Sequence, residues 1–201
     1  AISGYTKQGG LVDKTGHSWC AVLINKTWQL FDPTWDEGSS TNTKYFMMPP
    51  EEFIQTHLPY DPLWQLLNYP ITHHQFNTGN SYKRKDSYYF NYADSITAYV
   101  QMDSLHRLQS SALRIQNDEM KNALVKDNYN LIKMHIEIIN QEKDVDLYNS
   151  SVADMNDATT LLNNFIQYRN NKFTLAKTDA ELQAMLVEFD TKLSSALKKL
   201  N

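Results

Sequence analysis

The chain has 201 residues, of which 41% are hydrophobic and 21% charged, and a formal net charge of −4. This is the composition of an ordinary globular protein, long enough for one large domain or two small ones at about 100–200 residues each. Lys and Arg form no basic footprint, which argues against a nucleic-acid partner, and nothing approaches the roughly 18 consecutive apolar residues of a membrane span. Cys20 is the only cysteine, which excludes an intrachain disulfide and gives no basis for a zinc cluster.

The chain opens abruptly: Ala1-Ile2-Ser3-Gly4-Tyr5 has no initiator Met and reads as the interior of a fold, so an upstream segment is expected. Residues 2–6 are predicted as a strand, followed by a turn at Gly9-Gly10. Residues 19–24 and 27–31 are dense in aromatic and β-branched side chains. Asn25-Lys26 between them suits a tight hairpin, because Asn tolerates the positive φ such turns need. Residues 36–43 are polar and rich in Gly and Ser, hence a loop, and residues 45–48 suggest another strand. Pro49-Pro50 then opens a predicted short helix over 51–57, with acids in its first turn as the helix dipole favours.

Near residue 80 the composition changes. All four Trp and all six Pro precede it, and from Tyr82 onward there is no Pro, Gly, Cys or Trp. The turn-type cluster Asn77-Thr78-Gly79-Asn80-Ser81 marks the predicted boundary between a domain at 1–81 and another at 82–201. Lys83-Arg84-Lys85 is read as a solvated linker. Freedom from breakers predicts helices. One apolar stripe runs through Ile96, Val100, Leu105, Leu108, Ala112 and Ile115, with a break near Asp103. A second takes Met120, Leu124, Leu131, Met134 and Ile138, a third Val152, Met155, Leu162, Phe165 and Ile166. A fourth takes Leu182, Met185, Leu186, Phe189, Leu193 and Leu197, behind the capping-box pattern Thr178-Asp179-Ala180-Glu181. Four such helices imply an antiparallel bundle, and the fold class is therefore α+β: an antiparallel sheet followed by an all-α bundle.

The residues with chemical potential are His17 and Asp32. If Asn25-Lys26 is a two-residue turn, Ile24 pairs with Thr27 and Leu23 with Trp28, so Trp19 comes opposite Asp32 and His17 lies one diagonal step away. Alternation with period two puts His17, Trp19, Ala21 and Leu23 on one face with Trp28, Leu30 and Asp32. A carboxylate on one imidazole nitrogen fixes the ring and its tautomer. The other nitrogen can then deprotonate a thiol or hydroxyl and later protonate a leaving amine. From spacing alone, a strand His beside an Asp is more often a structural hydrogen bond. Cys20 points to the opposite face with Val22, Ile24 and Phe31, and is expected to be a core thiol rather than a nucleophile.

Gly16-His17-Ser18-Trp19-Cys20-Ala21-Val22, followed by Trp28-Gln29-Leu30-Phe31-Asp32-Pro33-Thr34-Trp35, closely resembles the His and Asp motifs of transglutaminase-like domains. Gly4-Tyr5-Thr6-Lys7 is similar to the strand before the His motif. Tyr45-Phe46 through Pro49-Pro50-Glu51-Glu52-Phe53-Ile54, then His57-Leu58-Pro59 and Trp64-Gln65-Leu66-Leu67, resembles the tail of the bacterial, kyphoscoliosis-peptidase-like branch. The helical part, most distinctively Asn163-Asn164-Phe165-Ile166-Gln167-Tyr168-Arg169-Asn170, resembles a bundle that follows this domain in some Bacteroidetes-type proteins.

The resemblance implies that 1–81 is the carboxy-terminal part of a papain-fold domain. In it His17 is the general base, Asp32 its orienting carboxylate, and Trp19, Trp28 and Trp35 line the site. It implies a protein or peptide substrate, amide or peptide chemistry by hydrolysis or acyl transfer, and no metal or organic cofactor. The family's nucleophilic Cys opens a helix upstream of the Gly-Tyr strand, a region not present here, so the chain as given is expected to be inactive by this route. The competing expectation is a non-catalytic scaffold or binding module that uses the bundle. An incomplete α+β layer would expose apolar sheet surface, which makes self-association an expectation. The resemblance favours bacterial export. His73-His74 is expected in a surface turn, His106 and His135 are read as structural, and Tyr88-Tyr89-Phe90 with Tyr92 as inter-domain packing. The Met residues of the helical part are read as core filler.

Overall fold

The computed structural model describes residues 1–37, 43–79, 89–117, 120, 122–170 and 177–200. Lys83-Arg84-Lys85, Asn80, Ser81, Tyr88 and most of the predicted loop at 36–43 lie outside them. The architecture is α+β, a five-stranded antiparallel sheet in the order β4-β3-β2-β1-β5 with seven α-helices among the described residues. The chain divides into two compact units, residues 1–136 and 137–201, and the cluster at 77–81 falls within the first. Among the described residues no helix is long and apolar enough to cross a membrane.

In the first unit, β1 (Ile2–Gln8) and β2 (Leu11–Ile24) pair around Gly9-Gly10, both at positive φ, with Gln8 opposite Leu11. β2 pairs with β3 (Thr27–Phe31) in the expected register: Ile24 opposite Thr27, Leu23 opposite Trp28, Cys20 opposite Phe31. Asn25 and Lys26 have φ of 49° and 66°, the left-handed pair that matches a two-residue turn to strand twist. β4 (Phe46–Met48) adds to β3 on one edge, starting one residue later than predicted. β5 (His57–Pro59) adds to β1 on the other, with Thr6 opposite His57 and Gly4 opposite Pro59.

The helix predicted for 51–57 is a single turn, α2 (Pro50–Phe53), whose Phe53 plugs the core. His57 therefore belongs to the sheet and not to a helix. α1 (Pro33–Asp36) follows β3 directly. α3 (His73–Thr78) begins with a Thr72–Gln75 capping box, and this corrects the surface turn expected at His73-His74. His73 is buried and its Nδ1 lies 2.9 Å from the Tyr5 hydroxyl. α4 (Tyr92–Gln101) and α5 (Ser104–Gln116) break where expected, at the Asp103 N-cap. Phe90 and Tyr92 pack against the core of Trp19, Leu30 and Phe53. The Asp61 carboxylate accepts a forked pair of hydrogen bonds from Arg114, Nε–Oδ1 and Nη2–Oδ2 both 2.7 Å, and pins α5 to the segment after β5.

The second and third stripes are one helix, α6 (Ala123–Arg169). In the second unit its later turns pair with α7 (Asp179–Leu200). Ser151 bonds the Ala196 carbonyl, Lys199 and Ser195 bond Asp154, and Lys192 bonds Asp157. Index rises on one helix as it falls on the other, so the pair is antiparallel. α7 starts with the predicted box: Glu181 N donates to Thr178 Oγ1 at 3.3 Å, and Thr178 N to Glu181 Oε2 at 2.7 Å.

Candidate active site

Asp32 ends β3 and caps α1. Its Oδ1 accepts from the amides of Thr34 (3.0 Å) and Trp35 (3.2 Å), the usual work of an N-cap aspartate. This fixes the carboxylate plane and turns Oδ2 towards β2. There His17 Nε2 lies 2.5 Å from Oδ2. The β2–β3 turn register thus brings the imidazole and the acid into direct contact.

A second imidazole reaches the same oxygen. His57 Nε2 lies 2.9 Å from Asp32 Oδ2, and its Nδ1 lies 2.8 Å from the Thr56 hydroxyl. His57 and Asp32 have no solvent exposure, whereas the His17 side chain is 20% exposed. His17 and His57 stand on strands either side of β1, yet their ring centroids are 5.7 Å apart. Gly4, opposite both His17 and Pro59, makes this possible. A Cβ there would lie 2.4 Å from the Trp19 ring and 2.2 Å from the Leu58 carbonyl oxygen.

Burial opposes ionisation of Asp32, but the hydrogen bonds from His17 and His57 and the Trp35 amide outweigh it and hold its pKa below the ordinary value. Asp32 is therefore an acceptor at neutral pH, and both Nε2 atoms carry the proton. Burial lowers the His57 pKa from 6.5 to about 4 against the pull of Asp32. His57 is thus neutral, donating through Nε2 and accepting from Thr56 at Nδ1. For His17, whose side chain is partly exposed, the Asp32 bond at Nε2 leaves Nδ1 as the nitrogen available for proton transfer.

Two of the three predicted Trp residues stand at this site. Trp19 and Trp35 flank His17 with ring centroids at 6.1 Å each, and Trp35 lies 4.5 Å from His57. Trp28 instead meets Trp64, edge to face at 6.1 Å. Cys20 is on the opposite face of β2, as expected, but exposed, which corrects the core thiol. Val22 and Phe46 on that face are 44% and 60% exposed, so among the described residues no layer buries the sulfur. His57 was visible in the sequence as part of His57-Leu58-Pro59, without a site role.

His17, Asp32 and His57 offer ligand atoms within 4.8 Å of one another and are the set that could hold a metal among the described residues. The spacing favours hydrogen bonds. Tetrahedral zinc with bonds of about 2.0–2.1 Å spreads neighbouring ligand atoms to about 3.3 Å, and both nitrogens here sit closer than that to one shared oxygen.

The fold and site define an α+β protein with a buried carboxylate between two imidazoles, one of them reachable from solvent. Two curated proteins are similar to it: the kyphoscoliosis peptidase of mouse, 34% identical over 106 residues, and that of human, 32% identical over 105 residues. The matches take in 44% and 43% of this chain, and the chain spans about 15% of the length of either relative. No family model matches the chain, and no solved structure matches it. The likeness supports a distant relationship to the transglutaminase-like family.

Proposed function

We propose that this chain carries the His–Asp part of a transglutaminase-like cysteine enzyme that acts on amide or peptide bonds. The observation that carries the reading is the direct contact of His17 Nε2 with the buried, ionised Asp32. In the proposed cycle a thiol from a preceding segment gives its proton to His17 Nδ1. The thiolate attacks the amide carbonyl, and the tetrahedral adduct collapses as His17 returns the proton to the leaving nitrogen. The amine departs, and a thioester remains. Water gives hydrolysis and a second amine gives acyl transfer; in either case His17 accepts the attacking group's proton and the thiol is released. Asp32 holds the ring and stabilises the imidazolium.

The relatives are named peptidases, and a peptide substrate is proposed here on that likeness. The test is a longer polypeptide in which a preceding segment supplies the thiol. Its amidase or peptidase turnover should fall by about a thousandfold or more in His17→Ala, and unchanged turnover would overturn the assignment. A second reading rests on Cys20, the sole thiol, which faces away from His17. If Ser, Ala or Gly occupies the upstream position, the domain is a non-catalytic scaffold, and the helical part is its interaction surface.

A further inference from the structure

We propose that His57 is a positioning residue for the His17–Asp32 dyad: it supplies the buried hydrogen-bond donor that keeps Asp32 ionised and aimed at His17. The inference rests on the proposed function for its catalytic meaning, while the coupling it describes is a property of the folded chain alone.

An ionised carboxylate without solvent is costly unless its lone pairs are matched. Two amides serve Oδ1. Oδ2 has a lone pair beyond the one that His17 Nε2 engages, and in a buried carboxylate that lone pair needs a donor as well. Water would ordinarily fill that place, but aromatic rings enclose it: His57 stands 4.2 Å from Phe53, 4.5 Å from Trp35, and 5.2 Å from both Trp19 and Tyr45. The His57 N–H takes the place of water. The ionised Asp32, an acceptor only, places the hydrogen on Nε2, and Nδ1 is left to the Thr56 hydroxyl 2.8 Å away. The titratable and charged groups that act on His57 are Asp32, His17 and Lys44, with Tyr45 in ring contact. Filling the aromatic cage could be done by Phe. Placing an N–H on the oxygen that also binds His17 cannot.

The experiment follows the Asp32 carboxyl by carbon NMR through a pH titration of the chain as it stands. In His57→Phe the cage stays filled and the donor is lost, and the Asp32 midpoint should rise by about one pH unit or more. In His57→Gln the side-chain amide reaches a similar point, and the midpoint should stay near that of the parent chain. An unmoved midpoint in His57→Phe, or a His57→Gln variant that behaves like it, overturns the proposal. Should His57→Phe fail to fold, His57→Leu removes the same N–H with a smaller apolar side chain, and an Asp32 midpoint that does not rise in it overturns the proposal. In a polypeptide that supplies the thiol, His57→Phe should lower kcat about tenfold with little change in KM, and His57→Gln should restore it. If His17→Ala leaves turnover intact, the catalytic reading fails, whereas the carbon titration still decides the role of His57.

Discussion

Asp32 in the sheet unit and Asp154 in the helical unit each accept hydrogen bonds from several donors, and each sits below the ordinary carboxylate pKa. They arrive there by different balances. For Asp32 burial pushes the pKa up, and His17, His57 and the Trp35 amide together overcome it. For Asp154 the hydrogen bonds from Lys199 and Ser195 dominate, and burial is a lesser, opposing influence. The same side chain is thus held ionised against the dominant influence of burial in one unit and against a minor one in the other. Only the first arrangement stores an orientation that water would otherwise blur, as a proton-transfer site requires. The second is ordinary helix-to-helix pairing, weak because solvent competes for both partners.

Removing the buried acid has the largest expected effect. Asp32→Ala deletes the N-cap of α1 and leaves the Thr34 and Trp35 amides and the buried His57 N–H without their acceptor. The expected loss is about 4 kcal/mol, since breaking a buried charged network by removing one partner costs about 3–5 kcal/mol. Denaturant unfolding monitored by Trp fluorescence reads it, because all four Trp lie in the sheet unit. A loss under about 1 kcal/mol would mean that water replaces the carboxylate freely, and the contrast with Asp154 would collapse.

How far this contrast could be seen in the sequence depends on range. The His17–Asp32 contact was legible because Asn25-Lys26 closes a two-residue turn, and a turn fixes every pair outward from it. His57 was not legible as a partner. It joins through β5, which pairs on the far side of β1, and the run Pro49-Pro50-Glu51-Glu52 suggested a helix that continues through it. The meeting of the two rings depends further on Gly4, a residue whose contribution is the absence of a side chain. Trp28 followed the alternation rule to the correct face, yet its ring meets Trp64, because a shared face does not fix which neighbour a large ring touches. In the helical part, residues 140–144 are polar and resemble a link between stripes. They contain no Gly or Pro, so α6 runs through them. Alternation places Cys20 on the correct face, but whether another layer covers that face is not encoded in the strand itself.

The second expected effect is the pH dependence of the sheet unit. His57 binds its proton near pH 6.5 when unfolded and near 4 in the fold. Between these values the unfolded chain holds the extra proton, so stability rises with pH. The contribution is complete above about pH 6.5 and is lost as pH falls towards 4, an effect of about 3 kcal/mol. Asp32, with its lowered pKa, acts in the same direction at more acid pH. Denaturant midpoints at pH 4.5 and 7.5 should therefore differ strongly in the parent chain and far less in His57→Gln. Equal slopes in the two proteins would show that some other group controls the acid limb.

The smallest effect belongs to the helical unit and sharpens the comparison from the other side. Lys199 Nζ donates to Asp154 at 2.6 Å and to Ser150 at 2.8 Å, and its side chain remains 29% exposed. In Lys199→Met the long apolar stem is kept, so the packing of α7 on α6 persists while the charge goes. Ser195 still serves Asp154 at 2.7 Å. Thermal unfolding followed by helix circular dichroism should show a slight decrease at low ionic strength. In about 0.5 M salt, where the Debye length is well under 10 Å, the decrease should vanish. The loss in Asp32→Ala should survive the same salt, because no ions reach a carboxylate walled in by indole and phenyl rings. If instead the Lys199 effect persists in salt and rivals that of Asp32, the two carboxylates belong to one class, and burial is not what separates a site from a strut.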